Sequence, residues 1–98
     1  MTGFRITSQK GFHVTFENNW TVSVQFGPGN YCDNYDRKIG RDEKNCGETG
    51  STTAETAVWG SDGSMIDRGD GDTVQARQTP AQVLELLTWA AQQPRINK

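Results

Sequence analysis

Two stretches of this 98-residue chain hold residues able to do chemistry, and each has a plain structural alternative. The first is Gly27-Pro28-Gly29-Asn30-Tyr31-Cys32-Asp33-Asn34. Its glycines would let backbone N–H groups approach a ligand closely, Tyr31 could stack on a base, and Asn30 and Asn34 offer amides. The same residues equally suit a loop leaving a strand and held by the packing of Tyr31. The second is Arg77-Gln78-Thr79, ahead of Pro80. A helix starting there would present unpaired N–H groups and a positive dipole end to an anion, although Pro80 lacks one donor and Thr79 would cap another. Arg77 could meet a phosphate with both arms of its guanidinium, or simply lie exposed on a short edge strand. Arg5, Arg37 and Arg68 are further cationic candidates, and Trp59 ends a strand where it would either pack or stack.

Catalytic constellations are harder to assemble. His13 is the sole histidine and has no serine or cysteine motif beside it, so it reads as a strand surface residue rather than a base. Asp62, Asp67, Asp70 and Asp72 surround two Gly-containing turns. Their spacing lacks the glycine and glutamate of a calcium loop, and aspartates in such turns bond the local backbone. One histidine and two cysteines, Cys32 and Cys46, give no zinc spacing, and in a reducing compartment both cysteines are expected as thiols. No phosphate-binding Walker loop or dinucleotide fingerprint occurs. A binding protein that needs no cofactor is therefore expected, rather than an enzyme.

The elements that position these residues follow from periodicity. Phe12, Val14 and Phe16 alternate with polar residues, as do Trp20, Val22, Val24 and Phe26, so two strands with one buried face each are expected. Parity then requires Phe16 opposite Trp20, across a three-residue loop Glu17-Asn18-Asn19 in which an Asn takes the left-handed conformation. Thr53 to Trp59 reads as a third strand, turning at Asp62-Gly63 into an extended 64–68, and Thr73 to Arg77 as a short strand with Gln75 and Arg77 on one face. Thr79 as N-cap, Pro80 at the first position and Gln82 completing a capping box open the one helix. Its apolar face would comprise Val83, Leu84, Leu86, Leu87, Ala90 and Ala91, with Pro94 ending it. The expected fold is α+β: one domain over 1–98, a small antiparallel β-sheet with one C-terminal α-helix packed on a face. A polar Gly/Asn-rich loop runs from about 27 to 52, in which 38–51 could be an insertion without fixed structure.

Composition narrows the partners. A net charge of -2 argues against a binder of DNA or RNA polymers, which would show a basic stripe. It leaves room for a pocket where a few arginines meet one phosphorylated molecule. No apolar run approaches the roughly 20 residues that span a bilayer, and the N-terminal residues lack the build of a signal peptide, so cytoplasmic residence is the expectation. With 33% hydrophobic residues and a mean hydropathy of -0.76, the core is modest, which points to apolar surface shared between subunits.

Taken in order, several motifs resemble a known family. They are Phe16-Glu17-Asn18-Asn19, Trp20-Thr21-Val22-Ser23-Val24-Gln25-Phe26-Gly27, Gly29-Asn30-Tyr31-Cys32-Asp33-Asn34, Thr53-Ala54-Glu55-Thr56-Ala57-Val58-Trp59, the Asp62-Gly63 turn and the Thr79-Pro80 helix start. Across roughly residues 10–93 the chain is similar to the first-described family of phage anti-Thoeris proteins, signal-sequestering sponges. The resemblance implies a phage-encoded protein acting in the host bacterial cytoplasm. It would bind cyclic ADP-ribose isomers (glycocyclic ADP-ribose) made by TIR-domain sensors and hold them without degrading them, so blocking Thoeris immunity. It also implies a homo-oligomer, dimer or hexamer, with sites at subunit interfaces, and in some members separate sites for cyclic trinucleotides. By local match, Arg77 would stack on or pair with the ligand and Asn30 to Asn34 would line it, with Arg5, Arg37 or Arg68 completing the pocket. The chain is short for the family, which bears on the breadth of ligands.

Two other readings belong to different classes. One is a small phage or host-interaction protein that inhibits a host enzyme through a protein surface, consistent with low core hydrophobicity and acidic loops. The other is a phosphodiesterase with an aspartate-rich metal site at Asp70 and Asp72.

Overall fold

A computed structural model describes residues 2–7, 11–27, 30–33, 50–68 and 71–96. At its centre is the hairpin expected from parity. Strand β2 (Gly11–Thr15) pairs antiparallel with β3 (Thr21–Gln25), with Val14 opposite Val22 and Phe12 opposite Val24. The Phe16 N–H donates to the Trp20 carbonyl at 2.9 Å, and Asn19 donates back to the Phe16 carbonyl at 2.8 Å. Asn19 takes φ +64°, the left-handed residue that a three-residue loop demands.

Around this hairpin the sheet is a simple meander, β1-β2-β3-β4-β5. Strand β1 (Gly3–Thr7), which the sequence reading missed, adds to the outer edge of β2; β4 (Ala54–Trp59) pairs with β3, and β5 (Val74–Gln78) with β4. The extended 64–68 segment is not a full strand. It touches β4 only through a Trp59–Met65 bridge and an Ile66 N–H to Val58 carbonyl bond of 3.0 Å, because β5 occupies the rest of that edge. The turn into it stands as read: Gly63 has φ +85°, and the Asp62 carboxylate accepts from the Ser64 backbone and hydroxyl.

Helix α1 (Pro80–Ala91) begins as its sequence dictates. Thr79 Oγ1 accepts from the Gln82 N–H, and Gln82 Oε1 accepts from the Thr79 N–H at 2.8 Å. Its buried stripe is narrower than expected. Leu86 and Ala90 are buried, and Val83 and Leu87 partly so, but Leu84 and Ala91 lie exposed. The helix lies over β3 and β4, where it meets Val14, Trp20, Val22, Val24 and Val58 in a single core.

The helix C-terminus has neither glycine nor a basic last turn. The hairpin loop closes it instead: Asn18 Nδ2 donates to the carbonyls of Ala90 (2.8 Å) and Gln93 (2.7 Å), and Trp20 Nε1 to that of Pro94 (2.8 Å). Carbonyls that a helix end leaves unpaired are thus satisfied from 72 residues away.

One expectation fails at β3, which is buried on both faces rather than one. The explanation lies in its two neighbours. His13 on β2 and Trp59 on β4 flank β3, yet their rings meet edge to face at 5.0 Å, about half the roughly 9.5 Å that separates alternate strands. The two rings lean together over Ser23 and Thr21, their register partners. Below them Gln25 lies across Gly11, accepts from the Thr7 hydroxyl at 2.7 Å and donates to the Ser23 hydroxyl at 3.2 Å. Only glycine allows this, since a Cβ at position 11 would stand 2.3 Å from the Val24 oxygen.

Candidate ligand-binding site at the Tyr31–Arg77 junction

The loop after β3 is built by alternation. Asn30 and Cys32 turn inward and are buried, while Tyr31 and Asp33 turn outward. The Asn30 backbone N–H and side-chain amide both donate to the Gly27 carbonyl at 3.2 Å, and Cys32 donates its N–H to the Asn30 carbonyl at 2.7 Å. Asn30, expected as a ligand amide, is therefore a buried brace of its own loop. Cys32 is a buried thiol with Sγ 3.7 Å from the same Gly27 carbonyl.

Two contacts fix Tyr31 against the sheet. Its N–H donates to Glu55 Oε2 at 2.9 Å, and its carbonyl accepts from the Arg77 N–H at 2.9 Å. The second depends on an irregularity in β5. Ala54 pairs with Gln78 but Thr56 pairs with Gln75, so Ala76 and Arg77 together face Glu55 in a bulge. Arg77 there adopts φ +52°, a left-handed conformation that costs a non-glycine residue roughly 1–2 kcal/mol. The bulge overturns the expected alternation, in which Gln75 and Arg77 shared a face. Gln75 and Gln78 instead line one cleft beside α1, and the Arg77 N–H is turned to the Tyr31 loop.

Asp33 completes the junction. Its carboxylate accepts from the Thr52 and Thr53 hydroxyls, the latter at 2.9 Å, and Arg77 Nη1 lies 3.4 Å away. Those hydroxyls first, and Arg77 after them, hold the Asp33 carboxyl below the usual carboxylate range, so it is an anion at neutral pH. The Tyr31 residue is 53% exposed and the Arg77 side chain 60% exposed. An aromatic face, a guanidinium and two carboxylates, Asp33 and Glu55, therefore stand together on three separate chain segments.

The remaining sequence candidates lie elsewhere. Arg68 donates through Nη2 to the Thr56 carbonyl (2.9 Å) and hydroxyl (3.1 Å), which makes it a clamp on β4 rather than a member of this junction. Arg5 sits on β1, the sheet edge opposite β5 and roughly 19 Å across the strands. Trp59 is at the far end of β4 from Ala54, committed to the contact with His13. Thr79 has both its N–H and its hydroxyl engaged in the capping box, and Gln78 donates to the Ala76 carbonyl at 3.3 Å. Asn34 and Arg37 lie outside the described residues, as do Cys46, Asp70 and most of 38–51.

Sequence reasoning missed Glu55, Thr52 and Thr53, and held Asp33 only as part of the 30–34 segment. The one available signal was the hydroxyl pair Thr52-Thr53 at the opposite end of the loop that contains Asp33. Among the described residues no three His, Cys, Asp or Glu side chains gather to hold a metal, and no helix is long and apolar enough to cross a membrane. The turn aspartates serve their turns: Asp67 accepts from the Gly71 N–H and Asp72 from the Val74 N–H. No protein-family model, curated protein or solved structure matches this chain.

Proposed function

We propose that this protein captures a cyclic ADP-ribose-type signal and holds it chemically intact. The observation that carries the reading is the exposed Tyr31 held to Arg77 by a backbone bond from a left-handed bulge residue. The left-handed bulge turns the Arg77 N–H to the Tyr31 loop and in doing so sets an exposed guanidinium beside an exposed ring, as strained backbone at ligand sites often does. Each part of the ligand has a counterpart. A purine stacks on the Tyr31 ring, Arg77 takes the pyrophosphate, and Asp33 or Glu55 accepts from ribose hydroxyls or an exocyclic amine. The Asp33–Arg77 pair lies at the surface, where it is weak enough for a doubly charged pyrophosphate to replace. The resemblance to the anti-Thoeris sponges supplies the identity of the ligand, the phage origin, the bacterial cytoplasm and a further capacity for cyclic trinucleotides.

Calorimetric titration with glycocyclic ADP-ribose, linear ADP-ribose and a cyclic trinucleotide tests the reading. Tight binding of the cyclic ADP-ribose isomer is expected, lost in Arg77→Ala and Tyr31→Ala, with the compound recovered unchanged after heat denaturation. Hydrolysed product would show an enzyme instead. Absence of heat with all three compounds would refute a nucleotide sponge.

A further inference from the structure

The bulge that presents Arg77 also re-aims Gln78. Residues three apart on a regular strand point to opposite faces. Here the extra residue returns Gln78 to the face of Gln75, since their partners Ala54 and Thr56 stand two apart on β4. That face is the helix side, where Ala54 enters the core. Both amides therefore line the cleft between β5 and α1, a space of about 580 Å³. Volumes of roughly 300–1,000 Å³ are usual for small-molecule sites.

The facing wall is one stripe of α1, in which Gln82, Glu85, Leu86 and Trp89 follow at helical spacing. Gln82 gives its side-chain oxygen to the cap at Thr79, which leaves its amide N–H groups to the cleft. Trp89 is 40% exposed, and its ring stands edge to face on that of Trp20 with centroids 5.5 Å apart, so its plane is fixed. Ile66, Asp67 and Arg68 complete the lining. The cleft shares no residue with the junction of Tyr31, Asp33, Glu55 and Arg77.

We infer that this cleft is a separate site for a neutral saccharide. Each glutamine amide donates and accepts at once, as does each sugar hydroxyl, so Gln75, Gln78 and Gln82 match a row of hydroxyls. The Glu85 and Asp67 carboxylates accept only, and a planar carboxylate reaches two neighbouring hydroxyls. A pyranose also has a face of C–H groups, which the Trp89 ring and the Leu86 and Ile66 side chains cover. Charge disfavours an anionic occupant. Two carboxylates outnumber Arg68, whose Nη2 is already held by Thr56, so a phosphate would meet a net negative field.

This inference does not rest on the nucleotide reading and is tested without the cyclic signal. The full chain, labelled with nitrogen-15, is titrated by NMR with glucose, galactose, mannose and N-acetylglucosamine to about 20 mM, well past millimolar affinity. Adenosine and inorganic phosphate are the controls. At least one saccharide should shift the side-chain amides of Gln75, Gln78 and Gln82 and the Trp89 indole N–H. The Trp20 indole N–H, bonded to the Pro94 carbonyl, should move less. Affinity should fall at least about tenfold in Gln78→Ala/Glu85→Ala and stay unchanged in Tyr31→Ala. Absence of shifts with every saccharide overturns the inference, as do shifts with adenosine or phosphate alone, shifts confined to Tyr31 and Arg77, or binding that survives the double variant. Should that variant fail to fold, the wild-type protein decides: nuclear Overhauser contacts between sugar C–H groups and the Trp89 ring support the site, and their absence refutes it. Methyl glycosides run in parallel identify the source. A tolerated cap at the anomeric carbon indicates the end of a glycan chain, and a cap that abolishes binding indicates a free sugar.

Discussion

Arg77→Gly separates the two roles that Arg77 could have. The wild-type residue sits at φ +52°, so glycine relieves roughly 1–2 kcal/mol of left-handed strain. Glycine also gives the unfolded chain more freedom, which costs about 0.5–1 kcal/mol. The two nearly offset each other. The N–H that Tyr31 accepts is retained, since it belongs to the backbone. Among the described residues only the exposed contact with Asp33 disappears, and surface pairs of that kind contribute little. Stability should therefore stay within about 1 kcal/mol of wild type, a melting shift of no more than about 4–8 °C for a domain of this size. Urea unfolding measures the stability, and calorimetry on the same preparation measures affinity for the proposed cyclic ADP-ribose ligand, which should collapse. A loss of more than about 2 kcal/mol would show that the Arg77 side chain holds the loop in place, and would refute the argument that its strain is kept for a ligand.

Four further outcomes are expected. Asn18→Ala removes two bonds to carbonyls at the end of α1 and should lower stability by about 1–3 kcal/mol in urea unfolding, with nucleotide affinity unchanged. Gly11→Ala drives a methyl group into the Val24 carbonyl and the Gln25 side chain, and the same assay should show a cost of about 1–3 kcal/mol. Arg68→Met should destabilise by about 1.5–3 kcal/mol through its lost bonds to Thr56 while leaving calorimetric nucleotide binding at the wild-type level. His13 titrates below its ordinary 6.5 because burial, and after it Arg5, disfavours the imidazolium. Its unfolded form takes the proton first, so stability falls as pH drops below about 6.5 and levels off below the folded value. NMR titration should show Arg5→Gln raising the His13 midpoint without restoring it to 6.5.

Features encoded by neighbours in the chain were legible in the sequence, and features made by distant segments were not. The hairpin loop could be deduced because side-chain parity admits one register, and Asn19 supplied the left-handed residue. The start of α1 was legible because Thr79, Pro80 and Gln82 form a closed local set. By contrast, β1 displays only Phe4 and Ile6 around Arg5, too short an alternation to separate from a loose terminus. The helix stripe was read too wide because periodicity cannot tell Leu84, which lies exposed, from Leu87, which packs against the core. At the candidate site, Tyr31 and Arg77 could be named from residue type, and the structure does bring them together. Glu55 could not, nor could the contact of Asp33 with Arg77, since a bulge in β5 and a loop after β3 meet only in three dimensions. Arg68 and Thr79 looked alike from the sequence as anion binders, yet tertiary and local hydrogen bonds had already claimed both.

The pairing of Gln25 with Glu55 has an evolutionary consequence. Because the two ends of the connection between β3 and β4 lie side by side, the sheet is indifferent to what is spliced between them. Lengthening a closed loop twofold costs only about 0.6 kcal/mol, less than one lost methyl group in the core. Selection can therefore rewrite the segment that carries Tyr31 and Asp33, and with it the ligand proposed to bind there, while the meander and its helix continue unchanged as a chassis.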